Sequence, residues 1–275
     1  MLSKSYLIPV MLTLTFTACV NTPPIDAVKS DSLIQQIVLP YSFRNKAFDG
    51  NALWSVVKTN ESHLVIKQNL SGKVLSEIPL SEATPPHRSL AWGKGQLWLL
   101  DLDNTLYPIS TNGKTQTALK LTELPESAIA EQIVWLDQAL WVLTSAYLLA
   151  DGSLAPSGLY QVDPETGKLL KTLKLQANEA LKQSPRKHFD SFSHQNLSAD
   201  TQYFYVARAN IFEKEQNAIY RIEQNTGLIS VQALERVYTG LNSLFWWKNQ
   251  LFGIELIDSS NCGDYCRGKL EKLSD

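Results

Sequence analysis

The sequence lacks the features that mark several common classes of protein. Lys and Arg number 25 against 27 Asp and Glu, a net charge of -2, so no surplus of positive charge can neutralise a nucleic-acid backbone and we expect no nucleic-acid partner. The motifs GxSxG, HExxH, GxxxxGK[ST] and the EF-hand loop are absent. Helical periodicity is nearly absent, and only residues 178–183 could form a helical turn or two. The 275 residues, 44% hydrophobic and 19% charged, suffice for one large globular domain.

The first 19 residues have the pattern of a bacterial secretory signal. One basic residue, Lys4, precedes an apolar run over residues 6–18. This run is shorter than the roughly 20 residues that a membrane-spanning helix needs, and it fits the apolar region of a signal peptide. The run ends in the sequence FTAC at residues 16–19, which resembles the lipobox of bacterial lipoproteins.

This resemblance implies that residues 1–18 are a signal peptide, that Cys19 carries a lipid anchor, and that residues 19–31 form a polar, proline-containing tether. No Asp follows Cys19, which favours an outer-membrane lipoprotein that faces the periplasm. We therefore expect the membrane as a partner through the anchor. An ordinary signal peptide with a chance cysteine is the alternative.

The two remaining cysteines are close together in the sequence. Cys262 and Cys266 are separated by three residues, and an oxidising periplasm favours a disulfide between them. A metal site is the alternative, but zinc takes about four ligands and no His lies nearby in the sequence. We expect a disulfide that closes a small loop.

A repeat organises the rest of the chain. Each copy contains a strand, a turn that ends in glycine, and a second strand. Four segments have this pattern: 64–80, 106–121, 159–175 and 219–234. The turn glycines, at which we expect a positive φ, are Gly72, Gly113, Gly167 and Gly227.

A second pair of strands, marked by an aromatic residue, lies between these hairpins. Four segments align without gaps, and a fifth, 190–204, aligns with a longer turn; the four are 44–54, 88–98, 131–141 and 242–252. Each copy alternates apolar and polar residues, so five four-stranded units are predicted over residues 32–275.

The two ends of this region indicate how the units are arranged. Residues 32–40 match a fourth strand, whereas residues 267–275 match a third strand. We therefore predict an all-β β-propeller of about five blades, closed by the N-terminal strand that completes the last blade. Six blades are the alternative, if one unit has decayed.

The hairpin LYQVDPETGKLLKTL at residues 159–173 resembles the blade hairpin of quinoprotein-like, NHL-like and lactonase-like propellers. This resemblance covers residues 32–275 and implies the fold. Propellers of this kind include enzymes, binding scaffolds and assembly factors, so the resemblance does not select a function.

The resemblance implies that, as in propellers of this kind, the starts of the innermost strands surround one mouth of the central channel. The polar residues at these starts form the candidate site. The alignment predicts a ring of two cations, two carboxylates and an amide: Arg44, Arg88, Glu131, Asp190 and Asn242. Arg44 and Arg88 could bind an anionic group. Mutual neutralisation of the ring is the alternative to any chemistry.

Two histidines lie on equivalent connections between blades, His87 and His188. A hydrolase would use Glu131, Asp190, His188 and Asn242 around a metal or a bound water. Calcium takes about six oxygen ligands, which is more than these side chains supply. We therefore expect no cofactor, and a divalent cation only if the chain is such an enzyme.

Two long loops on the same predicted face carry apolar residues, including Tyr147 in residues 145–158 and Phe212 in residues 207–219. Such loops suggest a protein-contact surface, although loops folded onto their own blades would have the same composition. The leading hypothesis is a non-enzymatic propeller scaffold that binds a protein or envelope component, and the alternative is a lactonase-like or other hydrolase.

Overall fold

The structure is a computed structural model. The residues that it describes all fall within the compact unit Leu33–Asp275. These are residues 35–40, 46–58, 63–81, 85–126, 128–145, 147–148, 154–155, 157–183, 196–208, 218–234, 241–256 and 265–273.

Short β-strands make up most of the described chain, as the alternating pattern predicts. The chain begins with an outer strand and then forms the two four-stranded blades 1 and 2: β1 (Gln35–Pro40); β2 (Ala47–Phe48), β3 (Ala52–Lys58), β4 (His63–Asn69), β5 (Val74–Pro79); β6 (His87–Gly93), β7 (Gln96–Asp101), β8 (Thr105–Ile109) and β9 (Leu119–Lys120).

Blade 3 contains an inserted hairpin, β12–β13, and is followed by a short strand and a helix: β10 (Ala130–Leu136), β11 (Ala139–Thr144), β12 (Tyr147–Leu148), β13 (Leu154–Ala155), β14 (Leu159–Val162), β15 (Leu169–Leu173), β16 (Gln176–Ala177) and α1 (Glu179–Lys182). The helix lies within the predicted segment 178–183, and Asn178 caps it by accepting a hydrogen bond of 2.7 Å from the Leu181 backbone N–H.

Blades 4 and 5 complete the ring: β17 (Asn196–Ala199), β18 (Tyr203–Arg208), β19 (Ala218–Glu223), β20 (Leu228–Ala233); β21 (Leu241–Trp247), β22 (Gln250–Leu256) and β23 (Tyr265–Lys272). Strand β16 adds to the outer edge of blade 4 by parallel pairing with β20. The five blades are otherwise antiparallel.

The ring closes as the sequence predicts. Strand β1 pairs antiparallel with β23, so the order in blade 5 is β1-β23-β22-β21. The N-terminal strand is therefore the outer strand of the last blade. The protein is a five-bladed β-propeller, which confirms the predicted fold class and its closure.

The pairing register confirms the gapless alignment of four inner hairpins. In each of them the residue at the fifth position of the repeat pairs with the residue at the tenth. These pairs are Phe48–Leu53, Trp92–Leu97, Trp135–Leu140 and Trp246–Leu251.

The fifth copy of the repeat lies at a different position from the one predicted. Ala199 pairs with Phe204, so the turn of blade 4 is as short as the others and the extra residues precede the strand. The described innermost strand begins at Asn196, not at Asp190. Asn196 is thus equivalent to Gln132 in blade 3. The pairing register decides which residues of two blades are equivalent, whereas the predicted alignment began the copy at the polar residue Asp190.

The turn glycines have a packing role that the sequence did not reveal. Gly113, Gly167 and Gly227 have φ values of +83°, +71° and +73°, as predicted for their turns. Each also lies against the outer strand of the preceding blade. A Cβ atom on Gly227 would lie 2.1 Å from the carbonyl oxygen of Lys174, and one on Gly113 would lie 2.3 Å from that of Pro79. Gly113 and Gly227 therefore leave no room for a side chain.

Aromatic stacking joins neighbouring blades. Trp54 of blade 1 stacks on Trp92 of blade 2 with ring centroids 5.0 Å apart, and Trp98 of blade 2 stacks on Trp135 of blade 3 at 5.8 Å. In blade 4 the small residue Ala199 stands at the position equivalent to Trp92 and Trp135. Trp141 of blade 3 therefore packs on Phe204 of blade 4, with ring centroids 4.8 Å apart. Trp54, Trp98 and Trp141 are buried, which confirms the prediction that they form the core between blades.

Candidate functional site

A cavity lies on the axis of the ring, where three consecutive residues of every innermost strand meet. Its volume is about 130 Å³, and its lining residues are Lys46, Ala47, Phe48, Leu90, Ala91, Trp92, Ile133, Val134, Trp135, Leu197, Ser198, Ala199, Leu244, Phe245 and Trp246. Lys46 and Ser198 carry the only aliphatic polar side chains in this set, yet polar atoms make up more of the exposed cavity wall than apolar atoms do.

Lys46 is a buried amine in this wall, with 6% of its surface exposed. Its Nζ donates a hydrogen bond of 2.6 Å to the hydroxyl of Ser55, which is fully buried in the next strand of the same blade. Burial disfavours the charged form and lowers the pKa of Lys46 from 10.5 to about 7. At neutral pH a large fraction of this amine is therefore uncharged.

Sequence analysis overlooked Lys46, although the repeat contained the signal. In the gapless alignment Lys46 shares a column with Leu90, Ile133 and Leu244. A lysine in an otherwise apolar column is conspicuous. The polar ring predicted from the sequence comprises only the first column, which contains Arg44 and Arg88.

The joint between blades 5 and 1 places further polar groups near Lys46. The Lys46 backbone N–H donates to the hydroxyl of Ser243, across the joint, at 3.4 Å. Gln68 lies on the same face of blade 1 and is fully buried, and neither polar atom of its side chain has a partner in the described part of the protein. This joint therefore buries a lysine and an unsatisfied amide, both of which are unfavourable in an apolar interior.

At the start of the innermost strands, the structure joins two of the predicted ring residues. Arg88 Nη1 donates to both carboxylate oxygens of Glu131 at 3.2 Å. Glu131 has 4% of its surface exposed, and the two residues belong to neighbouring blades. The pair therefore connects blades 2 and 3 electrostatically at the channel mouth.

The hydrogen bonds beside this pair repeat those of the joint between blades 5 and 1, where the ring closes and which we call the closing joint. The Ser89 hydroxyl accepts from the Ile133 backbone N–H at 3.0 Å and contacts Gln132 Oε1 at 3.2 Å. Ser89 is equivalent to Ser243 in the alignment, and Ile133 to Lys46. A serine in one blade thus bonds the backbone of the next blade at both joints.

His87 begins β6 opposite Asp101 in the register. Burial lowers the pKa of His87, the nearby charge of His63 lowers it further, and a hydrogen bond with the Pro85 backbone acts in the opposite direction. His87 is thus half-buried and biased toward its neutral form.

Several predicted site residues cannot be placed. Arg44, Asp190, His188, Phe212, Cys19 and Cys262 lie outside the described residues. Asn242, Tyr147 and Cys266 are placed in strands without a description of their side chains. The lipid anchor, the disulfide and the complete polar ring remain predictions.

The face of the ring with the Arg88–Glu131 pair also carries apolar surface. Leu102, in the turn between β7 and β8, is 48% exposed, and Ile129, just before β10, is 41% exposed. In the neighbouring sector the insertion of blade 3 forms the two-stranded hairpin β12–β13, which belongs to no blade sheet. We call this side of the propeller the loop face.

Among the described ranges there is no cluster of three His, Cys, Asp or Glu residues able to hold a metal ion. Within the same ranges, the protein has no helix with the length and apolar character needed to cross a membrane.

No protein-family model matches the chain, and no curated protein matches it. Solved structures match it by fold. A glutaminyl cyclase from Myxococcus xanthus aligns with a TM-score of 0.52 at 10% identity, over 89% of this chain and 100% of that one. A gluconolactonase from Xanthomonas campestris, XC5397, aligns with a TM-score of 0.50 at 13% identity, over 88% of each chain.

A larger enzyme contains a similar unit. The xylan beta-1,4-xylosidase from Bacillus halodurans C-125 aligns with a TM-score of 0.51 at 13% identity, over 88% of this chain and 54% of the xylosidase. At such low identity these matches concern the fold alone. The chain thus shares its propeller fold with several solved enzymes.

Proposed function

We propose that this chain is a lipoprotein of the bacterial outer membrane whose propeller is a non-enzymatic scaffold, with the loop face as its binding surface for an envelope protein. The observation that carries the proposal is that the hairpin β12–β13 is separate from the blade sheets and that Leu102 and Ile129, at strand ends on the same side of the ring, are exposed. A hairpin that adds to no blade sheet does not extend the ring, and exposed apolar residues on the same face favour contact with a partner.

The state of the channel mouth supports a binding role over a catalytic one. Glu131, a carboxylate that a hydrolase would use, is bonded to Arg88 in the next blade. This hydrogen bond already engages both carboxylate oxygens of Glu131 with the neighbouring blade. The pair therefore contributes to holding blades 2 and 3 of the ring together.

A hydrolase remains the alternative, since the glutaminyl cyclase, gluconolactonase and xylosidase with the same fold are named as enzymes. That alternative needs Glu131 with Asp190, His188 and Asn242 around a metal or water. It predicts that Glu131→Gln, with the fold intact, abolishes hydrolysis of a lactone or ester substrate. The scaffold proposal predicts no such activity to lose.

Site-specific photocrosslinking in the cell envelope tests the scaffold proposal. A photoreactive amino acid at Leu102 should give a discrete protein adduct. The same amino acid at Leu170, a 57% exposed leucine on an outer strand away from the loop face, is the matched control and should give none. Replacing residues 147–155 by a short turn should abolish the Leu102 adduct. Equal adducts at both positions, or no adduct at Leu102, would overturn the proposal.

The anchor has its own test. Cys19→Ala should prevent incorporation of labelled palmitate and leave the signal peptide uncut, whereas Cys266→Ala should leave the label in place. Palmitate labelling that survives Cys19→Ala would contradict the lipid anchor without affecting the loop-face proposal.

A further inference from the structure

A second cavity, which we call the outer groove, lies between blades 4 and 5. Its volume is about 190 Å³, and its lining includes Tyr205, Ile219, Arg221, Ser230, Gln232, Trp246 and Leu251. Tyr205, Ile219 and Leu251 are buried, whereas Arg221 and Gln232 are exposed. Polar and apolar atoms contribute similar shares of the wall. The outer groove therefore has an apolar floor and a polar rim that is open to solvent.

The joint between blades 1 and 2 is filled at the same position. Ile78 is the equivalent of Gln232, because their partners Val65 and Ile219 occupy the same place in the repeat. Ile78 packs in the apolar cluster of that joint, and the turn glycine of blade 2, Gly113, lies directly against it. An apolar side chain and a turn therefore close this joint.

Closure of the ring gives blade 5 a different outer edge. Its third strand β23 pairs with β1, the first strand of the described chain, so no tight turn links these two strands. Gln232, at the rim of the groove, is polar where Ile78 is apolar. The outer part of the joint between blades 4 and 5 thus lacks both features that close the joint between blades 1 and 2.

The cation at the rim also has an equivalent in blade 1. Arg221 pairs with Tyr205 as Lys67 pairs with Trp54, at the same position of the repeat. Lys67 bonds the Asp49 carboxylate at 3.2 Å, and this carboxylate also accepts from the Trp54 indole N–H at 2.7 Å. The cation of blade 1 is therefore neutralised within its own blade.

In blade 4 the equivalent carboxylate, Asp200, accepts from the Tyr205 hydroxyl at 2.7 Å. Arg221 instead lies over the Tyr203 ring, 4.7 Å from its centroid, and its Nε donates to the Ser230 hydroxyl at 3.4 Å. Within the described part of the chain, Arg221 forms no ion pair. Its guanidinium is thus positioned by a ring and a hydroxyl, beside the groove, without a carboxylate.

The size and chemistry of the groove define a class of ligand. A cavity of roughly 150 Å³ accommodates a benzene ring, so the outer groove, at about 190 Å³, has room for a ring with a small substituent. A guanidinium binds a carboxylate through two parallel N–H donors. Arg221 is the only charged residue of the lining, which favours a single negative charge on the ligand.

We propose that the outer groove binds a small monocarboxylate with a flat apolar body. The body lies against Trp246 and Leu251, and the carboxylate pairs with Arg221 at the rim, where Ser230 and Gln232 supply further polar groups. Trp246 and Leu251 lie at the end of the inner strands away from the loop face. The site is therefore separate from the loop face, and the two proposals can fail independently.

Binding of benzoate to the purified protein tests the proposal, with benzamide as the uncharged ligand of the same shape. Saturation-transfer NMR titrations at pH 7 measure both dissociation constants. Benzoate should bind with a Kd of about 1 mM or below. It should bind at least fivefold more tightly than benzamide, because only benzoate offers a carboxylate to Arg221. Equal affinities, or no binding of benzoate, would overturn the proposal.

Two matched variants separate this site from general attraction to positive charge. Arg221→Met should weaken benzoate binding at least fivefold and leave benzamide binding unchanged. Lys67→Met removes the cation at the same position of blade 1 and should leave both affinities unchanged. If the two variants weaken benzoate binding equally, the anion does not recognise Arg221 and the proposal is wrong.

The location of the ligand is tested by the indole N–H signals of the ¹⁵N-labelled protein. Benzoate should shift the Trp246 signal, which is assigned by its loss in Trp246→Phe, and should leave the Trp54 signal in place. Gln232→Phe puts an apolar ring at the rim and should abolish binding of both ligands, while its spectrum shows that the fold is retained. If Gln232→Phe binds benzoate as tightly as the wild type, the ligand lies outside the groove and the assignment fails.

Discussion

The joint between blades 2 and 3 and the joint between blades 5 and 1 use equivalent positions in opposite ways. In the first joint Ile133, Val142 and Val162 of blade 3 are buried in a large apolar cluster. The register makes Lys46, Ser55 and Gln68 of blade 1 their equivalents, and these face a much smaller apolar cluster. Three apolar residues at one joint are thus three polar residues at the other.

Polar groups also occur in the joint between blades 2 and 3, but most of them are paired, and among the described residues the Arg88 Nε atom is a buried exception. Arg88 and Glu131 bond each other at its rim, and Ser89 bonds Gln132 and the Ile133 backbone. At the closing joint the Gln68 amide has no partner in the described part of the chain. The difference teaches that the repeat sets the geometry of a joint, whereas individual residues decide its stability.

The largest expected effect comes from making the closing joint apolar at residue 46. Lys46→Ile introduces the residue found at the equivalent position 133 and should increase the free energy of unfolding by about 3 kcal/mol or more at pH 7. The folded pKa of about 7 lies below the ordinary 10.5. Between these values the unfolded state holds more protons, so wild-type stability should increase with pH in this window and be lowest below pH 7.

Urea unfolding of both proteins at pH 6, 7, 8.5 and 10 measures this effect. The advantage of Lys46→Ile should be greatest at pH 6 and 7 and should shrink toward pH 10. The matched control, Lys182→Met on the exposed face of α1, should give a difference that does not depend on pH in this way. A constant difference between Lys46→Ile and wild type would show that residue 46 is charged throughout.

Exchange of the residues at positions 68 and 162 tests the comparison in both directions. Gln68→Val should stabilise the protein by about 1–3 kcal/mol, because it removes a buried amide without partners. Val162→Gln should destabilise it by about 2–3 kcal/mol, because it buries an amide in the larger apolar cluster. Urea midpoints at constant slope measure both changes. Stabilisation by neither Gln68→Val nor Gln68→Leu would mean that a bound water satisfies the amide.

Breaking the paired charges of the joint between blades 2 and 3 should have a smaller effect. Arg88→Met leaves the buried Glu131 without its guanidinium and should destabilise the protein by about 2 kcal/mol, since one partner of a largely buried pair is lost. Adding Glu131→Gln should recover part of that loss. A double-mutant cycle measures the coupling, and a coupling near zero would show that the pair does not stabilise the joint.

The sequence repeat made the fold predictable. The site was predictable only in part, because it depends on how side chains pack between blades. Alternation and turn glycines predicted five blades and their closure by β1, because these depend on local backbone geometry. The pairing of Arg88 with Glu131 follows from their shared column. The alignment did not predict that Asn196 is equivalent to Gln132. The extra residues of that copy could either precede the innermost strand of blade 4 or lie in the turn after it. Burial of Lys46 depends on how blade 5 packs against blade 1, which periodicity along one strand does not report.

The smallest expected effect is that of Ser55→Val on the free energy of unfolding, which should have opposite signs in the wild type and in Lys46→Ile. In the wild type, Ser55→Val removes the hydroxyl that accepts from Lys46 Nζ and should destabilise the protein by about 1 kcal/mol. In Lys46→Ile the same hydroxyl has lost its lysine partner in a fully buried position, so Ser55→Val, which copies Val142, should stabilise the protein by about 1 kcal/mol. The four urea curves form a cycle whose coupling energy reports the bond between residues 46 and 55. If Ser55→Val has the same sign in both backgrounds, Ser55 acts through packing alone, and the polar character of the closing joint resides in Lys46 and Gln68.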